Sequence, residues 1–395
     1  MRTFLVSDLD PGLDDASLRG STITVYGSLD EAERVWRRAV EACACYVFQT
    51  FEWNKAWRDT IGSVERVAER IVHVCAADGR TLLLLPLGVY DHRHFSSLQF
   101  LGGIFSDYNA PIIDRAFARD VAADVFGRLW RVIVDLMPSV DLVCLVRMPQ
   151  TIEKIANPML GLPEVTRSGT GYAARLPASF GEFAGVRSAG FFRQNRSRWR
   201  RLAKLGEVEL SLATGREERI AITRLAGKQK SQWLAQRGLP DLFRRQEVGD
   251  FYRLLTGTPL QDGEISVAAL RVGGRIVATM WAPIFRGRYY FLLASYDQAW
   301  SQYSVGRLLM EQLVQWCIGQ PHINVFDLTV GNEDYKLFWS DHTIALHQHL
   351  DARTLKGAVV AAYRRGRTHL ANSGRVRSLV ANIRRARASM AGNAR

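Results

Sequence analysis

Between Arg288 and Trp339 the chain reads RYYFLLASYDQAWSQYSVGRLLMEQLVQWCIGQPHINVFDLTVGNEDYKLFW, and this order of patterns leaves few folds open. The aromatic, apolar run from Tyr289 to Leu293 suits a buried strand. A polar turn with Ser304 and Gly306 leads into helix-period residues from Arg307 to Cys317. A break at Gly319-Gln320-Pro321 precedes a second strand from Ile323 to Leu328, a turn at Gly331-Asn332, and then Tyr335-Lys336. Strand, small-residue turn, helix and strand make a βαβ unit whose helix starts at Ser304-Val305-Gly306-Arg307. The unpaired N–H groups of a helix amino end attract anions, and Gly306 lets a ligand come close to the backbone.

The rest of the chain repeats that order coarsely. In the first half, Ser21 to Tyr26 reads as a strand, and Ser28 or Asp30 caps a helix carrying Val35, Trp36, Ala39 and Val40. Phe48 to Trp53 forms a loop before a short helix with Trp57. Val67–Ala76 and Thr81–Tyr90 flank Asp78-Gly79, a hairpin signature. A strand from Ser97 to Leu101, a loop from Gly102-Gly103 to Pro111, a helix from about Arg119 to Leu136 and a strand from Asp141 to Val146 complete this half. After a turn-rich connection from Pro149 to Pro163 come a strand at Gly171–Leu176 and a basic helix from about Phe180 to Leu205. Strand Val208–Ala213, helices at Glu217–Gln236 and Glu247–Leu255, and a hairpin turning at Gly273-Gly274 lead back to Arg288. Two halves with one order of elements indicate an internal duplication.

With 395 residues, two domains are expected. The five cysteines (Cys43, Cys45, Cys75, Cys144 and Cys317) lack metal or redox spacing and read as reduced packing residues. The eight histidines are scattered, so no metal site is expected. No nucleophile elbow, H-E-x-x-H, Walker or G-x-G-x-x-G signature is present. The N-terminus lacks an apolar signal core and no run is long enough to span a bilayer, so a soluble cytoplasmic protein is expected.

The net charge of +13 is uneven. From Asp351 onward there are eleven Lys/Arg and one acid, in two helix-like segments broken near Ser373-Gly374. This tail could contact an anionic membrane surface, at the inner face of the membrane, or an acidic partner; without an aromatic stacking platform, single-stranded RNA fits less well. A second basic run, Arg187 to Lys204, places Arg193, Arg196, Arg200 and Lys204 at helical spacing, where they could clamp a phosphate or an acidic acceptor.

A set of ordered markers resembles the GNAT acyltransferase superfamily, in its CelD-type branch related to Fem-type aminoacyltransferases. They include Phe48-Gln49-Thr50 with Trp53, Leu101-Gly102-Gly103 with Ser106-Asp107-Tyr108, and Trp233 with Arg237-Gly238-Leu239-Pro240. Ser295-Tyr296-Asp297, Tyr303-Ser304-Val305-Gly306, Phe326-Asp327-Leu328 and Tyr335-Lys336 continue the series. The resemblance implies an α/β (α+β) fold of tandem GNAT-like domains, each a mixed, mostly antiparallel sheet flanked by helices. It would divide the chain into 1–165, 166–350 and a basic helical tail, 351–395. It also implies acyl transfer from acyl-CoA, acetyl-CoA in the simplest case, to an amine or hydroxyl on a small molecule, glycan or lipid in cell-surface polysaccharide or lipid metabolism. The donor's pyrophosphate would lie on Tyr303, Ser304, Val305, Gly306 and Arg307. Gln302 stands four residues before Gly306, and Leu308 replaces the second glycine of the superfamily turn.

Aminolysis of a thioester needs a base for the acceptor proton, a donor to the oxyanion and an acid for the thiolate. Lys336 fits the oxyanion role and Tyr335 the acid. Asp297 or Asp327 could be the base, or could fix Lys336. Asp107 and Tyr108 are expected to face the cleft between the halves as acceptor contacts, with Trp233 lining it. Two other readings compete: an aminoacyl-tRNA-dependent Fem-like transferase, and a catalytically weak GNAT scaffold bound to a polysaccharide-synthesis complex.

Overall fold

Hairpins and helices of the first half follow their sequence signals. The computed structural model describes residues 1–372 except Asp14 and Asn332, with side chains to residue 368. The predicted turn residue Asn332 and the basic segments beyond Ser373 therefore lie outside the described residues. The first half holds strands β1 (Arg2–Leu5), β2 (Thr22–Tyr26), β3 (Val67–Cys75), β4 (Thr81–His92), β5 (Phe95–Phe100), β6 (Ile112–Ile113) and β7 (Leu142–Pro149). Its helices are α1 (Val6–Leu9), α2 (Leu29–Ala42), α3 (Phe51–Trp57), α4 (Arg115–Asp120) and α5 (Ala123–Asp135). The Ser28 hydroxyl accepts from the Glu31 N–H to start α2, a cap worth about 1 kcal/mol. Instead of the single helix expected from Arg119, α4 begins at Arg115, capped by Asp114, and the chain is extended at Val121-Ala122 before α5.

A small hairpin, β8 (Thr151–Ile152) and β9 (Ile155–Ala156), fills the connection, and β10 (Val165–Arg175) begins the second half. Next come α6 (Phe180–Gly185) and α7 (Ala189–Ala203), two helices where the basic run suggested one, then β11 (Val208–Leu212), α8 (Arg216–Gln236) and α9 (Gln246–Gly257). Strands β12 (Gly263–Val272), β13 (Arg275–Phe285), β14 (Arg288–Tyr290) and β15 (Leu293–Tyr296) lead to α10 (Val305–Ile318) and β16 (Val325–Val330). The described residues end with α11 (Asp334–Trp339), β17 (His342–Ala352) and α12 (Leu355–Asn372).

All strands but β8 and β9 join one sheet, in the order β1-β2-β3-β4-β5-β7-β17-β10-β16-β14-β13-β12-β11, with β6 and β15 attached beside β4 and β13. Its pairs are antiparallel except β5 with β7 and β14 with β16, the two places where a helix crosses over. Each half is thus an antiparallel meander that ends in one parallel step, as the duplication predicted. The last strand, β17, lies between β7 of the first half and β10 of the second. Aromatic side chains extend one core across this seam: the Trp53 ring lies 5.2 Å from Phe251, and Phe48 lies 5.4 Å from Tyr290.

The expected strand at Tyr289–Leu293 is broken. Trp281 faces Leu293 and Ile284 faces Tyr289, so three steps along β13 oppose four along the neighbouring chain. One residue is extra, and a bulge separates β14 from β15 at Phe291-Leu292. Pro283 sits in that interval of β13, where a residue with no N–H is tolerated.

Candidate functional site

The bulge opens the sheet. β14 and β16 run parallel only from Arg288/Val325 to Tyr290/Asp327, closed by Phe291 N–H donating to the Asp327 carbonyl at 2.7 Å. Beyond this point β15 pairs with β13 alone, so Leu328–Val330 lose their neighbour and a wedge forms between β15 and the end of β16. Thr329 stands in this wedge at φ 58°, a left-handed conformation that is an outlier for a β-branched residue.

The amino end of α10 adjoins the wedge. Ser304 precedes it in the left-handed conformation, and its carbonyl takes the N–H groups of Arg307 and Leu308. Gly306 has a packing reason as well as a binding one, because a Cβ there would lie 3.3 Å from the Tyr296 ring. Arg307 lies over the Phe191 ring at 3.3 Å and donates to the Phe191 carbonyl at 2.8 Å. Burial, with Arg198 beside it, lowers Arg307 to about 10 against the opposing pull of Glu311. Arg307 Nε and Arg198 Nη1 are both inaccessible to solvent and without an acceptor among the described residues. Two neighbouring cations beside a helix amino end suit an anion. Tyr303 borders the same corner beneath Arg201, 5.4 Å away. The four cations expected to clamp a ligand (Arg193, Arg196, Arg200 and Lys204) are exposed, and Arg196 and Arg200 border a groove between α7 and α10. The inward-facing Arg198 lies between two of them in sequence, and spacing alone did not mark it.

At the other end of the wedge Lys336 turns inward. It lies on α11, not at a strand end, and is 4% exposed. Its ammonium donates to the Val330 carbonyl at 2.7 Å and pairs with Glu333 at 3.3 Å. Gly331 permits this fold-back, since a Cβ there would lie 2.4 Å from Lys336 Nζ. Asp107 approaches from the first half, bonded to Arg147 at 3.0 Å. Burial raises its carboxyl above the usual range, while Arg147, Thr329 and Lys336 act in the opposite direction. Lys230 on α8, which sequence reasoning missed, belongs to the same group: burial lowers its ammonium, Glu333 opposes that, and Lys336 and Arg237 add to it. Trp233 lies under both Lys230 (4.8 Å) and Arg237 (4.0 Å). A Lys–Trp pair three residues apart on a helix was the only sequence signal for Lys230.

The other expected site residues are placed differently. Asp327 is fully buried, paired with Arg288 at 2.7 Å, and accepts from the Tyr108 hydroxyl and the Thr329 N–H, each at 2.8 Å. It touches neither Lys336 nor solvent, because a buried carboxylate must be saturated with donors and is saturated here. Tyr108 is likewise fully buried, so it braces the seam and offers no surface to an acceptor. Asp297 caps the 3-10 turn after β15 through the Ala299 N–H and pairs with Arg275 at 2.9 Å. Tyr335 points outward and is 42% exposed. Among the described residues, no group of three or more His, Cys, Asp or Glu could hold a metal, and no helix is long and apolar enough to cross a membrane. The five cysteines are free.

Residues 189–337, which run from α7 to α11, match the family model described as acetyltransferase (GNAT) domain. The crystal structure of FemX superposes on 82% of this chain and 96% of its own, with a TM-score of 0.56 at 9% identity. The C-terminal domain of a putative lysylphosphatidylglycerol synthetase from Agrobacterium fabrum superposes on 86% and 96%, with a TM-score of 0.52 at 10% identity. At these identities the likeness is one of fold. A search of the curated proteins found no match.

Proposed function

We propose that this protein transfers an acyl group, acetyl in the simplest case, from acyl-CoA to an amine or hydroxyl acceptor in cell-surface polysaccharide or lipid metabolism. The observation that carries this reading is the wedge beyond Tyr290/Asp327 beside the amino end of α10, within the segment that matches a GNAT domain. The CelD-type assignment rests on the ordered sequence markers. Bound there, acyl-CoA supplies a thioester carbonyl to the wedge. The first amides of α10 hold its phosphates, with the charges of Arg307 and Arg198 beside them.

Asp107, beside Thr329 and Lys336, accepts the acceptor's proton; Asp327 is saturated with donors, and Asp297 caps the turn after β15. Val330 and Glu333 take two of the three donor directions of Lys336, and its third N–H stabilises the oxyanion. Tyr335, half-exposed at the rim, returns a proton to the departing thiolate. Trp233, with Lys230 and Arg237, forms the acceptor wall.

Calorimetry with acetyl-CoA, longer acyl-CoAs and tRNA tests the reading. Saturable acyl-CoA binding that survives high salt, and weakens about tenfold in Arg307→Ala, is expected. Binding of tRNA alone, falling steeply with salt, would favour the aminoacyl-tRNA reading. No binding of either would leave a scaffold.

A further inference from the structure

Helix α12 carries its apolar residues on the wrong side for a globular domain. Its inner face packs closely: a Cβ at Gly357 would lie 1.7 Å from the Asp141 carbonyl, Ala361 is buried, and Arg364 reaches Cys144 Sγ at 3.0 Å. Its outer face presents Leu355, Ala358, Val359, Ala362, Tyr363 and Gly366, all exposed. Leu355 is 88% exposed, Val359 72% and Tyr363 65%. That spacing of three and four is an unbroken helical stripe, of the kind normally turned toward a core. A groove of about 740 Å³ beside it is lined by Phe95, Val359, Tyr363 and Arg367.

Charge decides what can cover the stripe. Lys356 and Arg367 flank it, exposed, and neither has an ion pair to an acid among the described residues. A second copy docked face to face would set these cations against their own copies. The chain's own residues 373–395 contain six arginines and no acid, so they repel the same face. An occupant must combine an apolar interior with a negatively charged surface. We propose that α12 lies in the plane of an anionic lipid bilayer, with Leu355, Val359 and Tyr363 in the headgroup–acyl boundary and Lys356 and Arg367 against lipid phosphates. Beyond α12 the sequence repeats the pattern, with Val376, Leu379, Val380 and Ile383 at helical spacing among arginines.

The test is co-sedimentation of the full chain with phosphatidylcholine vesicles, with and without phosphatidylglycerol as roughly a third of the lipid. Binding to the anionic vesicles should exceed that to the neutral ones by about tenfold or more and fall with salt. Leu355→Ser/Val359→Ser/Tyr363→Ser, and separately Lys356→Glu/Arg367→Glu, should each lower partitioning about tenfold while circular dichroism and acyl-CoA calorimetry stay unchanged. Equal binding of the serine variant and the parent would overturn the proposal, as would failure of the parent to bind anionic vesicles. A dimer in ultracentrifugation that the serine variant dissociates would assign the face to a second copy. Stronger vesicle binding by a chain ending at residue 372 would assign it to the chain's own C-terminal segment.

Discussion

The two halves contain the same break in their sheets and treat it in opposite ways. In the first half β5 and β7 pair in parallel only at Ser97/Leu142 and Leu98/Val143 and then separate. The chain's own loop fills the gap: Asn109 N–H donates to the Arg147 carbonyl and Asn109 Nδ2 to the Val146 carbonyl, both at 3.0 Å. Gln49 holds the loop through the Tyr108 carbonyl at 2.7 Å, and Arg147 holds it through Ile104, Ser106 and Asp107. In the second half, among the described residues, no strand pairs with this side of β16 beyond Asp327, and the wedge lies there. Both parallel strands carry a bulge and a residue with left-handed φ, Arg147 in one and Thr329 in the other. One copy uses its bulge to seal the sheet. The other leaves the opening, and the seal of the first carries Asp107 toward Thr329 and Lys336 of the second.

That contrast can be broken at several points. The largest effect is expected at the Tyr108–Asp327–Arg288 link across the seam. Asp327→Ala leaves the Arg288 guanidinium buried without its counter-charge and should cost about 3–5 kcal/mol in chemical denaturation. A loss below about 1 kcal/mol would show that the halves do not depend on this pair. Next, Lys336→Ala should lower turnover by about two orders of magnitude with donor affinity unchanged; unaltered turnover would remove Lys336 from the chemistry.

Loosening the sealed wedge should matter less. Asn109→Ala removes one bond to β7 and should cost about 1–2 kcal/mol, while calorimetric stoichiometry stays at one acyl-CoA per chain. A second equivalent of bound donor would mean that the loop alone distinguishes the two wedges. The smallest effect concerns pH. Burial raises the Asp107 carboxyl, so it becomes charged later as pH rises, and the acid limb of the rate profile should lie above the usual aspartate range. Asp107→Asn should abolish that limb. The folded state binds this proton more tightly than the unfolded one, so the contribution to stability falls as pH rises through the folded pKa. The asparagine variant should lack that fall.

Much of this architecture was legible in the sequence because its signals are local. The start of α10 at Val305 followed from Ser304 and Gly306, and the duplication from two hairpin–helix–strand series in one order. The bulge at Phe291-Leu292 was not legible: nothing in that apolar run interrupts a strand, and the extra residue is set by register against β13. Asp327 was assigned chemistry because its donors are remote, Arg288 39 positions away and Tyr108 219. Lys230 was passed over because a depressed lysine depends on what surrounds it in space. Helix signals also ran α4 into α5 and α6 into α7: neither break carries a proline, and Gly185, which ends α6, was passed over because the basic helix period resumes a few residues later.

The position of β17 has a consequence for how the chain is made. Its partner β7 ends at Pro149, and β17 itself ends at Ala352, about 200 residues later. At ribosomal rates of roughly 5–20 residues per second, that edge of the first half stays unpaired for about 10–40 s of synthesis. Throughout that interval a row of free backbone donors and acceptors is open to pairing with neighbouring nascent chains. The protein can only be finished from its far end, and a ribosome stalled before residue 342 leaves a sheet that lacks its central strand.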